Sequence, residues 1–280
     1  MHVLSTVREM RAACLAVRKG GQSLGLVPTM GALHAGHISL VSAARAQCDV
    51  VAASIFVNPK QFGPNEDFAK YPRTFDQDCA LFEAEGVALV FAPQPEEMYP
   101  VGGTTFVEVE GVGDRLDGRS RPGHFRGVAT VVAKLFHIVG PDKAFFGQKD
   151  AAQVAVLRSM VRDLNFDLEL VVCPTVREPD GLALSSRNRY LSADERVRAL
   201  VLSRALNVIA DAYRAGQKDV ARLLEAGRSV LATEPDVRID YLEIVNADTL
   251  LPLAEAAAGA LVAVAAQVGS TRLIDNTTLP

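Results

Sequence analysis

Leu26-Val27-Pro28-Thr29-Met30-Gly31-Ala32-Leu33-His34-Ala35-Gly36-His37 carries the strongest local signal in the chain. The apolar run Ser23–Val27 leads into it, and Ile38, Val41 and Ala44 recur at helical spacing behind it. The pattern predicts a strand, a tight glycine-bearing loop and a helix. A helix N-terminus carries unpaired N–H groups and partial positive charge, which suits an anion. Gly31 admits close approach of a ligand to the backbone, and Gly36 lets the helix start lie tight against a strand. His34 and His37 share one face of the first helical turn, placed to donate to phosphate oxygens. A bare histidine pair would favour an ordinary surface turn; both glycines at these offsets after a strand favour a nucleotide.

Working outward, the spacing predicts a helix over His37–Gln47 and a parallel strand over Val50–Val57, apolar on both faces as a central strand must be. Asn58-Pro59-Lys60-Gln61-Phe62 then falls at a carboxyl end, where open α/β sheets bind ligands. A polar loop (Gly63–Arg73), a helix (Thr74–Glu85) and a strand (Val87–Ala92) follow, and an N-terminal helix is expected over Val3–Lys19. Pro93–Gly127, rich in Pro and Gly, reads as an insertion with one alternating strand, Thr104–Val109. Val128–Val139 carries a helical stripe, followed by strand Lys143–Phe146, helix Ala151–Leu164 and strand Leu168–Cys173. The alternation implies an α/β, doubly wound, mostly parallel Rossmann-like sheet over residues 1–175. From Pro174 the pattern changes to a smaller α+β C-terminal domain, 176–280. Its first helix opens on the capping box at Ser192 and Glu195 and stops at Gly216. Asp219 caps a second helix, and strands run over Val237–Val245 and Leu261–Val268.

The 280 residues allow a sizeable core in a large domain and a smaller one. A net charge of −4 argues against a polyanion-binding surface, so any phosphate must be held by a local basic cluster. Arg8, Glu9 and Arg11 interrupt any signal-peptide core, and Lys134 interrupts the most apolar helix, which is too short to cross a bilayer. Cys14, Cys48, Cys79 and Cys173 are scattered without a C-x-x-C pair, pointing to free thiols in a cytoplasmic protein. No membrane or nucleic-acid partner is expected.

Gly147-Gln148-Lys149-Asp150 lies between a strand end and a helix start, where Lys149 can act as a compact charge on phosphates. Asp150 either caps the helix or accepts from ribose hydroxyls, and Gln153 points the same way one turn on. Leu184-Ser185-Ser186-Arg187-Asn188 places two hydroxyls and a guanidinium at the domain boundary, either a phosphate clamp or a hydrophilic linker. In the third basic stretch, Gly118–Gly127, the arginines meet a carboxylate substrate or pair with Asp114 and Asp117.

Thr29-x-Gly31-x-x-His34-x-Gly36-His37 resembles the signature of the HIGH-type nucleotidyltransferases. Val57-Asn58-Pro59-x-Gln61-Phe62, Tyr71-Pro72-Arg73, Arg121–Val128, Phe146-Gly147-x-Lys149-Asp150, Ser185–Asn188 and Ile274-Asp275-Asn276 extend that likeness along the whole chain. In this order they resemble the pantothenate synthetase family. The resemblance implies condensation of pantoate with β-alanine through a pantoyl adenylate, consuming ATP with Mg²⁺, in a homodimer. By position it implies ATP binding by Met30, Gly31, Ala32, Leu33, His34, Ala35, Gly36 and His37, by Gly147, Gln148, Lys149 and Asp150, and by Val176, Leu184, Ser185, Ser186 and Arg187. His37, His34, Lys149 and Arg187 carry the catalytic expectation. Gln61 and Gln153 would hold pantoate, with Gln61 also near β-alanine. The magnesium ligands stay open, with Asp76 and Asp78 as loose candidates. One departure from the family pattern is Ala151-Ala152, where an aromatic and a second glutamine usually follow Lys-Asp. Two other readings compete: a related nucleotidyltransferase with a phosphorylated acceptor, and an aminoacyl-tRNA synthetase. The latter normally has a larger chain and a lysine-rich second motif.

Overall fold

The computed structural model describes residues 1–64 and 66–280; Asn65, in the loop expected over Gly63–Arg73, lies outside the described residues. In chain order the first unit contains β1 (His2–Leu4), α1 (Val7–Lys19), β2 (Leu24–Thr29), α2 (Ala35–Gln47), β3 (Val50–Ile55) and α3 (Phe75–Ala84). It continues with β4 (Leu89–Phe91), α4 (Pro95–Met98), α5 (Asp117–Ser120), α6 (His124–Val139), β5 (Lys143–Gly147), α7 (Ala151–Asp163) and β6 (Glu169–Cys173). The second contains α8 (Ala193–Arg214), α9 (Val220–Leu231), β7 (Val237–Val245), β8 (Leu261–Val268) and β9 (Thr271–Thr278).

The first sheet has six parallel strands in the order β1-β4-β3-β2-β5-β6. The chain builds outward from β2 on one side, then returns to place β5 on the other. The carboxyl ends of β2 and β5 therefore flank the point where strand order reverses, the place where such sheets hold ligands. Side chains alternate across the sheet: Leu24 and Leu26 of β2 and Phe146 of β5 join the core with α6 and α7. Val27 and Phe145 join the opposite core, with Leu40 and Val41 of α2.

The second sheet is antiparallel, β7-β8-β9. Its two faces are both covered. Leu261, Ala263 and Ala265 of β8 pack into the core of the first unit, while Val262, Val264 and Ala266 pack under α8 and α9. Burial on both faces explains why β8 reads as an unbroken apolar run instead of an alternating one.

Two sequence expectations need correction, and one strand was missed. The expected helix over Val3–Lys19 is split. His2–Leu4 pairs with β4, and Thr6 caps the helix through a capping box with Glu9. Thr104–Val109 forms no strand; Val107 N–H donates instead to Thr130 Oγ1 on α6 at 2.9 Å, so the segment is a strap. Beyond Val268 the chain turns at Gly269, with φ +55°, and returns as β9, which the polar residues Arg272, Asp275 and Asn276 concealed.

Candidate active site

The loop after β2 is set by a carboxylate. Ala32 and Leu33 donate their backbone N–H groups to the two oxygens of Asp78, each at 2.9 Å, and Thr74 Oγ1 adds a third bond at 3.1 Å. The chain turns there through positive φ at Gly31 (+81°) and Ala32 (+52°), a conformation that costs alanine and so needs an external hold. A Cβ at Gly31 would meet Asp78 Oδ2 at 2.9 Å, which is why glycine stands there. Asp78 is thus the anchor of the loop, and Asp76 is exposed. Among the described residues no group of three or more His, Cys, Asp or Glu is placed to hold a metal.

His34 caps α2, accepting from Gly36 N–H on Nδ1 at 3.1 Å, and His37 Nδ1 accepts from His34 N–H at 3.3 Å. Each Nδ1 being an acceptor, each neutral ring carries its proton on Nε2. Burial, then the Lys149 charge, lowers His34 to about 4; burial, then His34 and Lys149, lowers His37 to about 3. The pair is therefore two neutral Nε2–H donors at a helix N-terminus. Gly36 serves them: a Cβ there would stand 2.9 Å from the His34 ring. This corrects the expectation that Gly36 makes room for a strand.

Across the strand-order reversal, Gln148–Asp150 forms one 3₁₀ turn between β5 and α7. Asp150 makes no capping hydrogen bond and lies 3.9 Å from Lys149 Nζ. Asn276 of β9 donates to the carbonyls of Gln148 (3.0 Å) and Lys149 (2.8 Å), so the second unit holds the lysine turn in place. A cavity of about 740 Å³ takes in Lys149, Asp150, Gln153, Ser185 and Arg187 together with Arg121 and His124. Its lining stops short of His34, His37, Met30 and Gln61. The Val176 carbonyl accepts from Leu184 N–H at 2.9 Å, and Thr175 Oγ1 beside it is buried without a protein partner. Leu184 approaches Gly36, joining the second unit to the start of α2.

Gln61 ends the 3₁₀ turn Pro59–Gln61 at the carboxyl end of β3. Asn58 Nδ2 donates to Gln61 Oε1 at 3.0 Å, while Asn58 Oδ1 accepts from Tyr99 Oη at 2.7 Å and Lys60 N–H at 3.2 Å. The amide nitrogen of Gln61 is left facing Met30 Sδ at 3.2 Å, a weak acceptor that a ligand oxygen easily replaces. Arg187 makes a two-pronged ion pair with Asp67, 3.0 Å at both contacts. The pairing of the 118–127 arginines with Asp114 and Asp117, one of the two readings of that stretch, is not found among the described residues. Arg119 meets Glu243, Arg121 meets Glu66, and Asp117 is bound by Arg272. Ala151 and Ala152 are buried in the main core, closely packed despite their departure from the family pattern.

A family model described as pantoate-beta-alanine ligase matches residues 2–278. The chain belongs to the pantoate–β-alanine ligase family. The pantothenate synthetase of Acidobacterium capsulatum is 64% identical over 290 residues, covering 100% of this chain and 97% of its own. The crystal structure of pantothenate synthetase from Thermus thermophilus superposes with a TM-score of 0.95 at 51% identity, covering 100% of this chain and 99% of that one. Pantoate-beta-alanine ligase from Francisella tularensis, solved in complex with beta-gamma ATP and β-alanine, gives 0.82 at 34% identity, covering 99% and 97%.

The ends of β3, β2 and β5, neighbours in one sheet, bring these loops to one edge. Sequence reasoning missed Tyr99 and the supporting tasks of Asn58 and Asn276, and offered Asp78 only as a loose magnesium candidate. A signal existed for Asp78 in its setting among the apolar residues of α3; Asn58 and Asn276 stood in quoted motifs without a stated task.

Proposed function

We propose that this site runs the ligation in two steps. Pantoate's carboxylate attacks the α-phosphate of ATP, giving pantoyl adenylate and pyrophosphate, and the amine of β-alanine then displaces AMP. The observation that carries the reading is the convergence of neutral Nε2–H donors at His34 and His37 with Lys149 across the strand-order reversal. ATP lies along Met30–His37 and Gly147–Asp150, with Val176, Leu184, Ser185, Ser186 and Arg187 closing over it. The buried, unpartnered Thr175 Oγ1 suits the same ligand. His37 serves the α-phosphate, Lys149 the outer phosphates, and Gln61 and Gln153 the polar groups of pantoate. Gln61 also adjoins the β-alanine position.

The donors present do not form a magnesium cage; Mg²⁺ belongs to this reading as the companion of ATP, held by phosphates and water. Residues 176–280 act as the closing unit over 1–175. Because β8 shares a core with the first unit, the closing movement is a shift of the Leu184–Arg187 segment. A cytoplasmic homodimer completes the reading on the family resemblance, and the free thiols accord with a reducing compartment. No helix is long and apolar enough to cross a membrane among the described residues.

The test is ATP–pyrophosphate exchange. Exchange is expected with pantoate in the absence of β-alanine. Exchange that requires β-alanine would overturn the adenylate order.

A further inference from the structure

The motif Arg121-Pro122-Gly123-His124 has no task in the reaction as described, yet it is built into the turn that carries Gln61. His124 is the first residue of α6, set by Gly123 at φ +81°. Its Nδ1 lies 2.8 Å from the backbone carbonyl of Gln61, so Nδ1 is the protonated nitrogen and donates. Its Nε2 then accepts from Arg121 Nη1 at 2.9 Å. The Arg121 guanidinium is itself held by both oxygens of Glu66, at 2.7 and 2.6 Å. From the other side, Asn58 holds the Gln61 side-chain oxygen. Gly127 lets α6 seat against the same turn, since a Cβ there would fall 2.7 Å from Gln61 Cα.

We propose that His124 is a positioning residue for Gln61, holding its peptide through the chain Glu66–Arg121–His124–Gln61 so that the amide nitrogen faces the acid substrate. The proposal rests on Gln61 as a pantoate ligand. A backbone carbonyl fixed by His124 and a side-chain oxygen fixed by Asn58 leave the Gln61 amide one orientation, its N–H₂ turned to Met30 Sδ, the weak acceptor a substrate oxygen replaces. Without the His124 bond, the Gln61 carbonyl keeps, among the described residues, only the long contact from Arg121 Nη2 at 3.5 Å.

The test is steady-state kinetics on the full chain with ATP and pantoate varied separately. His124→Gln reaches toward Arg121 but lacks the donor at Nδ1; pantoate KM should rise about tenfold while ATP KM stays within about twofold. His124→Asn keeps a donor near the Nδ1 position and should hold pantoate KM within about threefold of wild type. In a cycle with Gln61→Ala, adding His124→Gln should raise pantoate KM no further. Should His124→Gln not fold, Glu66→Gln reads the far end of the chain, with pantoate KM expected to rise about threefold and ATP KM unchanged. Equal loss for both substrates, an additive double variant, or an unchanged pantoate KM in His124→Gln or Glu66→Gln would overturn the proposal. An unchanged pantoate KM in Gln61→Ala would instead overturn the Gln61 assignment, and the chain with it.

Discussion

Asp78 accepts the backbone N–H of Ala32 at 2.9 Å, and with its other oxygen that of Leu33, from a position on a helix separated by more than forty residues of chain. The helix α3 thereby dictates the shape of the phosphate-facing loop. Hydrogen bonds to a buried charged group contribute about 1.5–3 kcal/mol each. Asp78→Asn turns one acceptor oxygen into a donor that faces an N–H. A drop of roughly 2–4 kcal/mol in unfolding free energy by urea titration is expected, with ATP KM raised more than pantoate KM. Unchanged ATP KM in a folded variant would show that the loop keeps its shape without the carboxylate.

Arg187 is engaged by Asp67 in this state, so it must exchange one anion for another to reach phosphate. The pair is about a third exposed, where such pairs contribute ~0.2–1 kcal/mol. Asp67→Asn should tighten ATP binding by up to about fivefold, with a larger dependence on salt. Arg187→Ala should slow adenylation with the fold intact. Weaker ATP binding in Asp67→Asn, by calorimetry, would mean that Asp67 itself contacts the nucleotide.

The histidines give a pH prediction. His34, His37 and His124 are lowered from 6.5 to about 4, about 3 and about 4 by burial. In the interval between those values and 6.5 the unfolded chain binds more protons than the folded one, so stability rises with pH there. The contribution is complete above about 6.5 and lost progressively as pH falls toward about 4. Thermal unfolding followed from roughly pH 7.5 down to roughly pH 4.5 should show a falling Tm. By NMR, no ring of the three should titrate near the ordinary value of about 6.5; a midpoint there for His37 would contradict its burial as a neutral donor.

Charge development separates the half-reactions. In adenylation, negative charge grows on phosphate oxygens and departing pyrophosphate, which Lys149 is placed to meet. Loss of one preorganised donor costs on the order of 10²–10³ in rate. Lys149→Ala should lose adenylation by that factor yet convert supplied pantoyl adenylate and β-alanine at nearly the wild-type rate. His37→Ala should be impaired in the first step and partly in the second. Single-turnover measurement of each step checks this, and equal loss of both steps in folded Lys149→Ala would remove the lysine from the outer phosphates.

Periodicity and capping residues made the strand–helix alternation, the α8 and α9 caps and the motif loops legible, because each depends on contacts a few residues apart. Thr29–His37 and Gly147–Asp150 declared themselves through glycine offsets and a strand–helix setting that any reader of the sequence meets locally. What joins them was not local. Strand order β3-β2-β5 brings two loops over one hundred residues apart to one edge, and Asn276 of β9 ties the second loop in place. The partners of charged residues were equally hidden: Asp78 found backbone, Arg121 found Glu66 and Arg187 found Asp67. A carboxylate or guanidinium reads the same in sequence whatever it meets, because a charge interacts with whatever the fold brings within a few ångströms. Only the packed chain selects that neighbour.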